Sequence, residues 1–155
     1  MAPTPGSPSR TQRTLNVVMR ALLVTPLLHR AVSNRVLVLD IRGRTTGRRY
    51  RIPVGYTPSQ DGLLIGTAGT WRRNLIAGKP IPVTVARRRE MMTAETIRDQ
   101  QRCTELYRQI LAHNPVHGRY AGIRTTPDGA PDPEDLQAAL RRGIAVVRLT
   151  PSHRD

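Results

Sequence analysis

Hydrophobic and polar positions change their period along this chain, and the change divides it. Between residues 11 and 32 the apolar side chains recur at helical spacing. Leu15, Val18, Met19, Leu22 and Leu23 share a face, with Arg13, Asn16 and Arg20 elsewhere around it. Thr11 or Thr14 supplies an N-cap hydroxyl. Pro26 ends or restarts the helix, leaving a short helical turn over residues 27–32. From residue 35 the texture turns to β. Residues 35–41 (RVLVLDI), 49–56 (RYRIPVGY), 63–68 (LLIGTA), 80–86 (PIPVTVA) and 91–97 (MMTAETI) read as five strands, the last two joined through residues 87–90. The segments GRTTG at 43–47 and SQDG at 59–62 read as turns between them, and Pro53 puts the second strand at an edge or on a bulge. Residues 71–77 read as a short helix. Residues 98–112 form a longer one with Leu106, Ile110 and Leu111 on one face, broken at Asn114-Pro115. After a Pro/Gly/Asp loop at 124–133, residues 133–141 predict a helix with Glu134 and Asp135 in its favourable first turn. Residues 144–149 (IAVVRL) make a late sixth strand.

This order predicts a mainly β, α+β architecture: a small barrel of about six antiparallel strands with peripheral helices. A parallel, doubly wound sheet would need helices between the strands, and most are missing. Residues 1–10, rich in Pro, Ser and Gly, predict a disordered tail. Residues 11–155 then form one domain, with a helix at its N-terminal end and helices towards its C-terminal end. A chain of 155 residues buries roughly two-thirds of its unfolded surface and needs no staples.

Composition sharpens this picture in three places. The chain has no Phe and one Trp, so Leu, Ile, Val and Ala must fill the core, and Trp71 stands apart. Lys plus Arg is 25 against 11 acidic residues, a formal net charge of +14, and Lys79 is the only lysine. Either a codon bias towards arginine or an anionic partner explains that charge: a phosphorylated cofactor, nucleic acid or an anionic lipid surface. An aromatic content of 3% and the lack of a recognition motif argue against nucleic acid. Cys103 is alone, which excludes an internal disulfide framework and a multi-cysteine metal site and suits a reducing cytoplasm. The apolar stretch at 17–28 is interrupted by Arg20 and Pro26 and is too short to span a bilayer. Peripheral membrane attachment through residues 15–28 is the alternative to packing of that helix over the barrel mouth.

Candidate chemistry begins with exclusions. The zinc-protease, nucleophile-elbow, Walker A and dinucleotide-binding motifs are absent. The histidines show no ligand-like spacing with acids; His113 and His117 are four apart with Pro115 between them. No metal site is expected, and an enzyme of this composition would take its chemistry from a cofactor. Residues 42–51 (RGRTTGRRYR) carry five arginines, two glycines and two threonine hydroxyls. In a turn, glycines let an oxyanion approach exposed N–H groups, and arginine forks bind phosphate or carboxylate bidentately. The alternative is a solvated basic hairpin turn. Residues 66–79 (GTAGTWRRNLIAGK) place a small-residue loop after a strand and before a helical turn. Trp71 there stacks on a flat ring or plugs the barrel end.

Together, in this order, GRTTGRRYRIPVGY and DGLLIGTAGTWRRNL resemble the deazaflavin (coenzyme F420)-dependent nitroreductase and quinone-reductase family. The pattern of that family is a G-R-K-S-G turn, a proline six residues after its second glycine, and W-x-x-N-L. Here these are Gly43 to Gly47, Pro53, and Trp71, Asn74 and Leu75, with Thr45 standing where the pattern has lysine. The resemblance implies a split β-barrel related to FMN-binding proteins. It also implies hydride transfer from reduced F420 to a quinone-like or nitroaromatic acceptor, a hydrophobic small molecule. It assigns the cofactor's phosphate and acidic tail to Arg44, Thr45, Thr46, Gly47, Arg48, Arg49 and Arg51, with Pro53 beside them. The ring falls to Thr67, Ala68, Gly69, Thr70, Trp71, Asn74 and Leu75. Tyr107 and Tyr120 are candidate proton donors by region, and no nucleophile is required. A homodimer is expected from the wider fold. A non-catalytic protein of the same fold binding FMN, haem or lipid stays open as the competing reading.

Overall fold

The alternating run that follows residue 35 folds as strand β1 (Val36–Arg42), with Leu37, Leu39 and Ile41 buried on one face. The GRTTG turn returns the chain as β2 (Arg49–Gly55). Next come β3 (Thr57–Ser59), β4 (Gly62–Thr67), a single 3-10 helix η1 (Thr70–Asn74), β5 (Ile81–Val85) and β6 (Arg88–Ile97). Helices α1 (Gln100–His113), α2 (Pro115–Ala121) and α3 (Pro133–Arg141) precede the last strand, β7 (Ala145–Pro151). The computed structural model describes residues 36–152. The tail expected over residues 1–10, the helix from residue 11 or 14 and the turn at 27–32 lie outside them.

All strand pairs are antiparallel, in the order β2-β1-β5-β6-β7-β4-β3. Strand β6 is the joint. Its residues 88–92 pair with β5, whereas its residues 92–97 pair with β7. One long strand thus belongs to two half-sheets and turns the corner between them at Met92. The result is a curled half-barrel rather than a closed cylinder, with β2 and β3 as its edges among the described residues. Pro53 sits on edge strand β2, where a missing N–H costs no ladder bond.

Two apolar clusters lie on opposite faces of this sheet. The concave one gathers Leu37, Leu39, Ile41, Ile65, Val83, Met92, Ala94, Val147 and Leu149. The other joins Leu64, Ile97 and Val146 to helix residues including Cys103, Tyr107, Ile110, Leu136 and Leu140. Consecutive residues Leu64 and Ile65 therefore serve different cores, as the period of two requires. This double burial explains why β4 and β7 read as nearly continuous apolar runs rather than clean alternation.

Four details depart from the sequence expectation. A seventh strand, β3, is only three residues long, too short to leave a periodic signal. The helix expected over 71–77 stops at Asn74, because Leu75 adopts extended backbone (φ −74°, ψ 134°). Strand β6 starts at Arg88 instead of residue 91. A two-residue turn, Ala86 (φ 47°) and Arg87 (φ 67°), joins it to β5 in a conformation whose signature is normally Asn-Gly. Pro115 ends α1 as expected but also opens α2, at a position where its missing N–H has no intrahelical acceptor anyway. The caps of α1 and α3 are Asp99, accepting from Arg102 N–H, and Asp132, accepting from the Glu134 and Asp135 N–H groups.

If the two faces of β4 are buried independently, substitutions on them should add. Leu64→Ala should cost about 2–5 kcal/mol and Ile65→Val about 0.5–1.5 kcal/mol. The double variant should match their sum within about 0.5 kcal/mol in urea unfolding. A markedly larger coupling would mean that the two clusters are one.

Candidate functional site

The site is assembled from the end of the β1–β2 hairpin and the connection between β4 and β5. In the hairpin turn, Gly43 N–H donates to the Arg48 carbonyl (2.8 Å) and Gly47 N–H to the Gly43 carbonyl (2.9 Å). Arg48 N–H reaches Thr46 Oγ1 (3.3 Å). Gly47 has φ +67°, a left-handed conformation that side chains rarely adopt. These bonds leave the N–H groups of Thr45 and Thr46 with no acceptor among the described residues.

The charge around the turn is unbalanced. No acidic residue occurs between residues 41 and 60, which include Arg42, Arg44, Arg48, Arg49 and Arg51. Arg42 and Arg49 lie directly opposite each other in the ladder, a like-charge pairing that costs stability. Two register steps further, Asp40 faces Arg51. Its carboxylate, only 8% exposed, lies 3.8 Å from Arg51 Nε and 3.2 Å from Arg89 Nη1. Asp40 thus neutralises the far arginine and leaves Arg42, Arg44, Arg48 and Arg49 without an ion pair among the described residues. Positive charge and exposed N–H groups without an acceptor among the described residues concentrate at the turn.

The second half of the site follows β4. Thr67 Oγ1 accepts from Gly69 N–H (2.9 Å) and bends the chain into η1. Trp71 is half-buried and packs with Leu75 against the concave core, its indole edge lying over Gly69 so closely that a Cβ there would collide with it. Arg72 Nη1 donates to the Gly69 carbonyl (2.9 Å), and burial, then the nearby Arg98 and Arg73, pull its guanidinium below the usual arginine range. η1 lies beside β1. There the two sequence motifs meet: Arg44 N–H donates to Asn74 Oδ1 (3.1 Å) and Arg44 Nη1 to the Arg73 carbonyl (3.3 Å).

The residues expected at the cofactor are thus divided by position. Arg44, Thr45, Thr46, Gly47 and Arg48 form the turn, with Arg49 at the start of β2. Thr67, Ala68, Gly69, Thr70, Trp71, Asn74 and Leu75 form the adjoining segment. Arg51 lies beside the Asp40 carboxylate, which Arg89 shares. Pro53, opposite Val38, falls on the alternate face of β2 from Ile52 and Val54, which pack on the concave core. Asp40, Arg42, Tyr50 and Arg72 were missed as site residues. The hairpin register would have found Asp40 opposite Arg51 and Tyr50 opposite Ile41. Tyr50, 38% exposed, borders the turn at Gly43.

The two candidate proton donors are not brought to this cluster. Tyr107 is fully buried in the helix-side core, on the other face of the sheet from Trp71. Its hydroxyl lies 3.3 Å from His117 Nε2 on α2. The two rings meet over Gly66 of β4, where an added Cβ would come within 2.8 Å of the hydroxyl and 2.5 Å of Nε2. Burial pushes the tyrosine pKa up and the histidine pKa down, so both groups stay neutral. Tyr120 is 77% exposed on α2. Among the described residues no three His, Cys, Asp or Glu side chains gather as a metal site.

Comparison with known proteins gives the family. The sequence profile of the F420H(2)-dependent quinone reductase family matches residues 9–127. The chain belongs to that family. It is a deazaflavin-dependent oxidoreductase, and coenzyme F420 is the cofactor the family implies. No curated protein matches the chain. Among solved structures, an F420-H2-dependent reductase, FDR-A, is 12% identical with a TM-score of 0.50, over 74% of this chain and 93% of that one. A protein of unknown function from Agrobacterium tumefaciens is 14% identical with a TM-score of 0.54, over 83% of this chain and 56% of that one. At these identities the likeness establishes the fold of this F420 reductase as the split-barrel type. Among its described residues no helix is long and apolar enough to cross a membrane.

Two measurements follow from this geometry. Trp71→Ala should cost about 2 kcal/mol, less than a fully buried tryptophan, whereas Tyr120→Ala should stay within about 0.5 kcal/mol in urea unfolding. For His117, native protonation is suppressed, so the unfolded chain binds more protons below about pH 6.5. Stability should therefore fall as pH drops from 7 to 5.5, and His117→Gln should flatten that part of the profile. An unchanged slope in the variant would remove the buried neutral histidine from the account.

Proposed function

We propose that the Gly43–Gly47 turn binds the phosphate of F420, that the Thr67–Trp71 segment holds its ring, and that the acceptor is a hydrophobic quinone-like or nitroaromatic molecule. The observation that carries this reading is the pairing of unneutralised arginines with unsatisfied Thr45 and Thr46 N–H groups, tied directly to the Trp71 element. That donor set fits a phosphate. Backbone N–H groups bind oxyanions at close range, and Arg48 and Arg49 supply charge-assisted forks. They also supply the charge that Thr45, in place of lysine, does not.

Bound there, the reduced deazaflavin supplies the hydride. The chain's own residues bind, orient and exclude water. Trp71 and Leu75, packed on the concave core, give a flat apolar wall beside which a planar ring and a planar acceptor lose little solvation when stacked. Fixing both partners in one orientation is where the protein lowers the barrier. The acceptor class is supported by that apolar wall and by the family's reaction.

Titration with F420 and with FMN, followed by Trp71 fluorescence, tests the assignment. F420 should bind more tightly. Arg48→Ala and Arg49→Ala should each lose about ten- to a hundredfold in F420 affinity, the value of one charge-assisted contact. Arg51→Ala should lose less, because Asp40 already occupies that guanidinium. Stoichiometric FMN binding without F420 binding, or equal losses at all three arginines, would refute the placement.

A further inference from the structure

We propose that Asn74 is a positioning residue that sets the anion turn at a fixed distance from Trp71, rather than a contact to the cofactor ring. The proposal rests on the reading that the turn takes the cofactor's phosphate. Asn74 Oδ1 is committed, since it accepts from Arg44 N–H across 30 residues of chain. The same residue of the turn is gripped a second time, through Arg44 Nη1 on the Arg73 carbonyl. Both bonds end on Arg44, the residue before the two threonines whose N–H groups have no acceptor among the described residues.

The helical type gives this tie its meaning. In a 3-10 helix, side chains at i and i+3 eclipse. Trp71 and Asn74 therefore share one edge of η1, separated by one turn, a rise of roughly 6 Å. The tryptophan end of that edge packs into the concave core, and the asparagine end holds the turn. The span between ring wall and phosphate site is thus set by one turn of helix and a hydrogen bond. Without the Asn74 carbonyl, the turn keeps only its internal bonds from Gly43, Gly47 and Arg48 and the longer Arg44 bond to Arg73. It could still bind an anion, but no longer at a fixed offset from the ring. Arg44 is by the same argument a strut as well as a cation.

The test uses two ligands that differ only in the anionic part: complete F420, and the same deazaflavin ended at its ribityl hydroxyl, without phosphate or tail. Fluorescence titration compares wild type, Asn74→Ala and Asn74→Asp, with thermal melts alongside. Asn74→Ala should weaken complete F420 by roughly three- to tenfold, the value of one lost hydrogen bond, and leave the phosphate-free ligand within about twofold. Equal weakening of both ligands, or of neither, overturns the proposal. If Asn74→Ala melts far below wild type, Asn74→Asp decides, since it keeps an oxygen acceptor. With its added charge screened at high salt, it should melt like wild type and bind complete F420 within about twofold of wild type, and a loss as large as that of Asn74→Ala overturns the proposal there too. Wild type binding both ligands equally would instead remove the phosphate from the turn, a failure of the underlying reading and separable from the first.

Discussion

The hydrogen bond between the Arg44 N–H and the Asn74 side chain is the contact on which the candidate site depends. Hairpin β1–β2 lies at one end of the strand order and β4 near the other, and the connection from β4 to β5, the neighbour of β1, passes the hairpin turn at this point. The sheet makes the meeting possible. Because β6 changes partners at Met92, the two half-sheets curl towards each other, and η1 bridges from the end of β4 to the start of β5 beside the β1 turn.

Charge placement follows the same geometry. Ten arginines and one lysine fall between residues 41 and 89, against a single acid, Asp61. Pairing neutralises part of that run. Asp40, buried to 8% exposure, holds both Arg51 and Arg89. On the helix side, Glu95 takes Arg102 and Arg148, which hold its carboxyl below the usual range. At the turn, Arg42, Arg44, Arg48 and Arg49 stay without an ion pair among the described residues, and backbone N–H groups add to them.

Much of this was legible in the sequence, and the reasons are local. The strands of the concave core announce themselves through Val/Leu-rich runs, and GRTTG and W-x-x-N-L are recognisable by spacing. Pro53 correctly marked an edge strand. What stayed hidden was set by tertiary pairing. The three residues of β3 carry no period. Ala86-Arg87 lacks the glycine that usually marks so tight a turn, so the start of β6 was placed late. Asp40 reads as one polar residue in an apolar strand until the hairpin register puts Arg51 opposite it. Tyr107 falls in a helix of suitable position, and only the packing of α1 on β4 reveals that its hydroxyl faces His117 in the other core. Residue type signalled which segments carry chemistry, while which face each side chain took depended on pairing and packing between elements.

The most direct test of the account is a crystal structure of the protein with F420 bound. The account predicts phosphate oxygens within hydrogen-bond distance of the Thr45 and Thr46 N–H groups, the ring against Trp71, and the Arg44–Asn74 bond intact. A phosphate seated elsewhere, for example between Arg72 and Arg98, or a ring stacked on the helix side of the sheet near Tyr120, would contradict it.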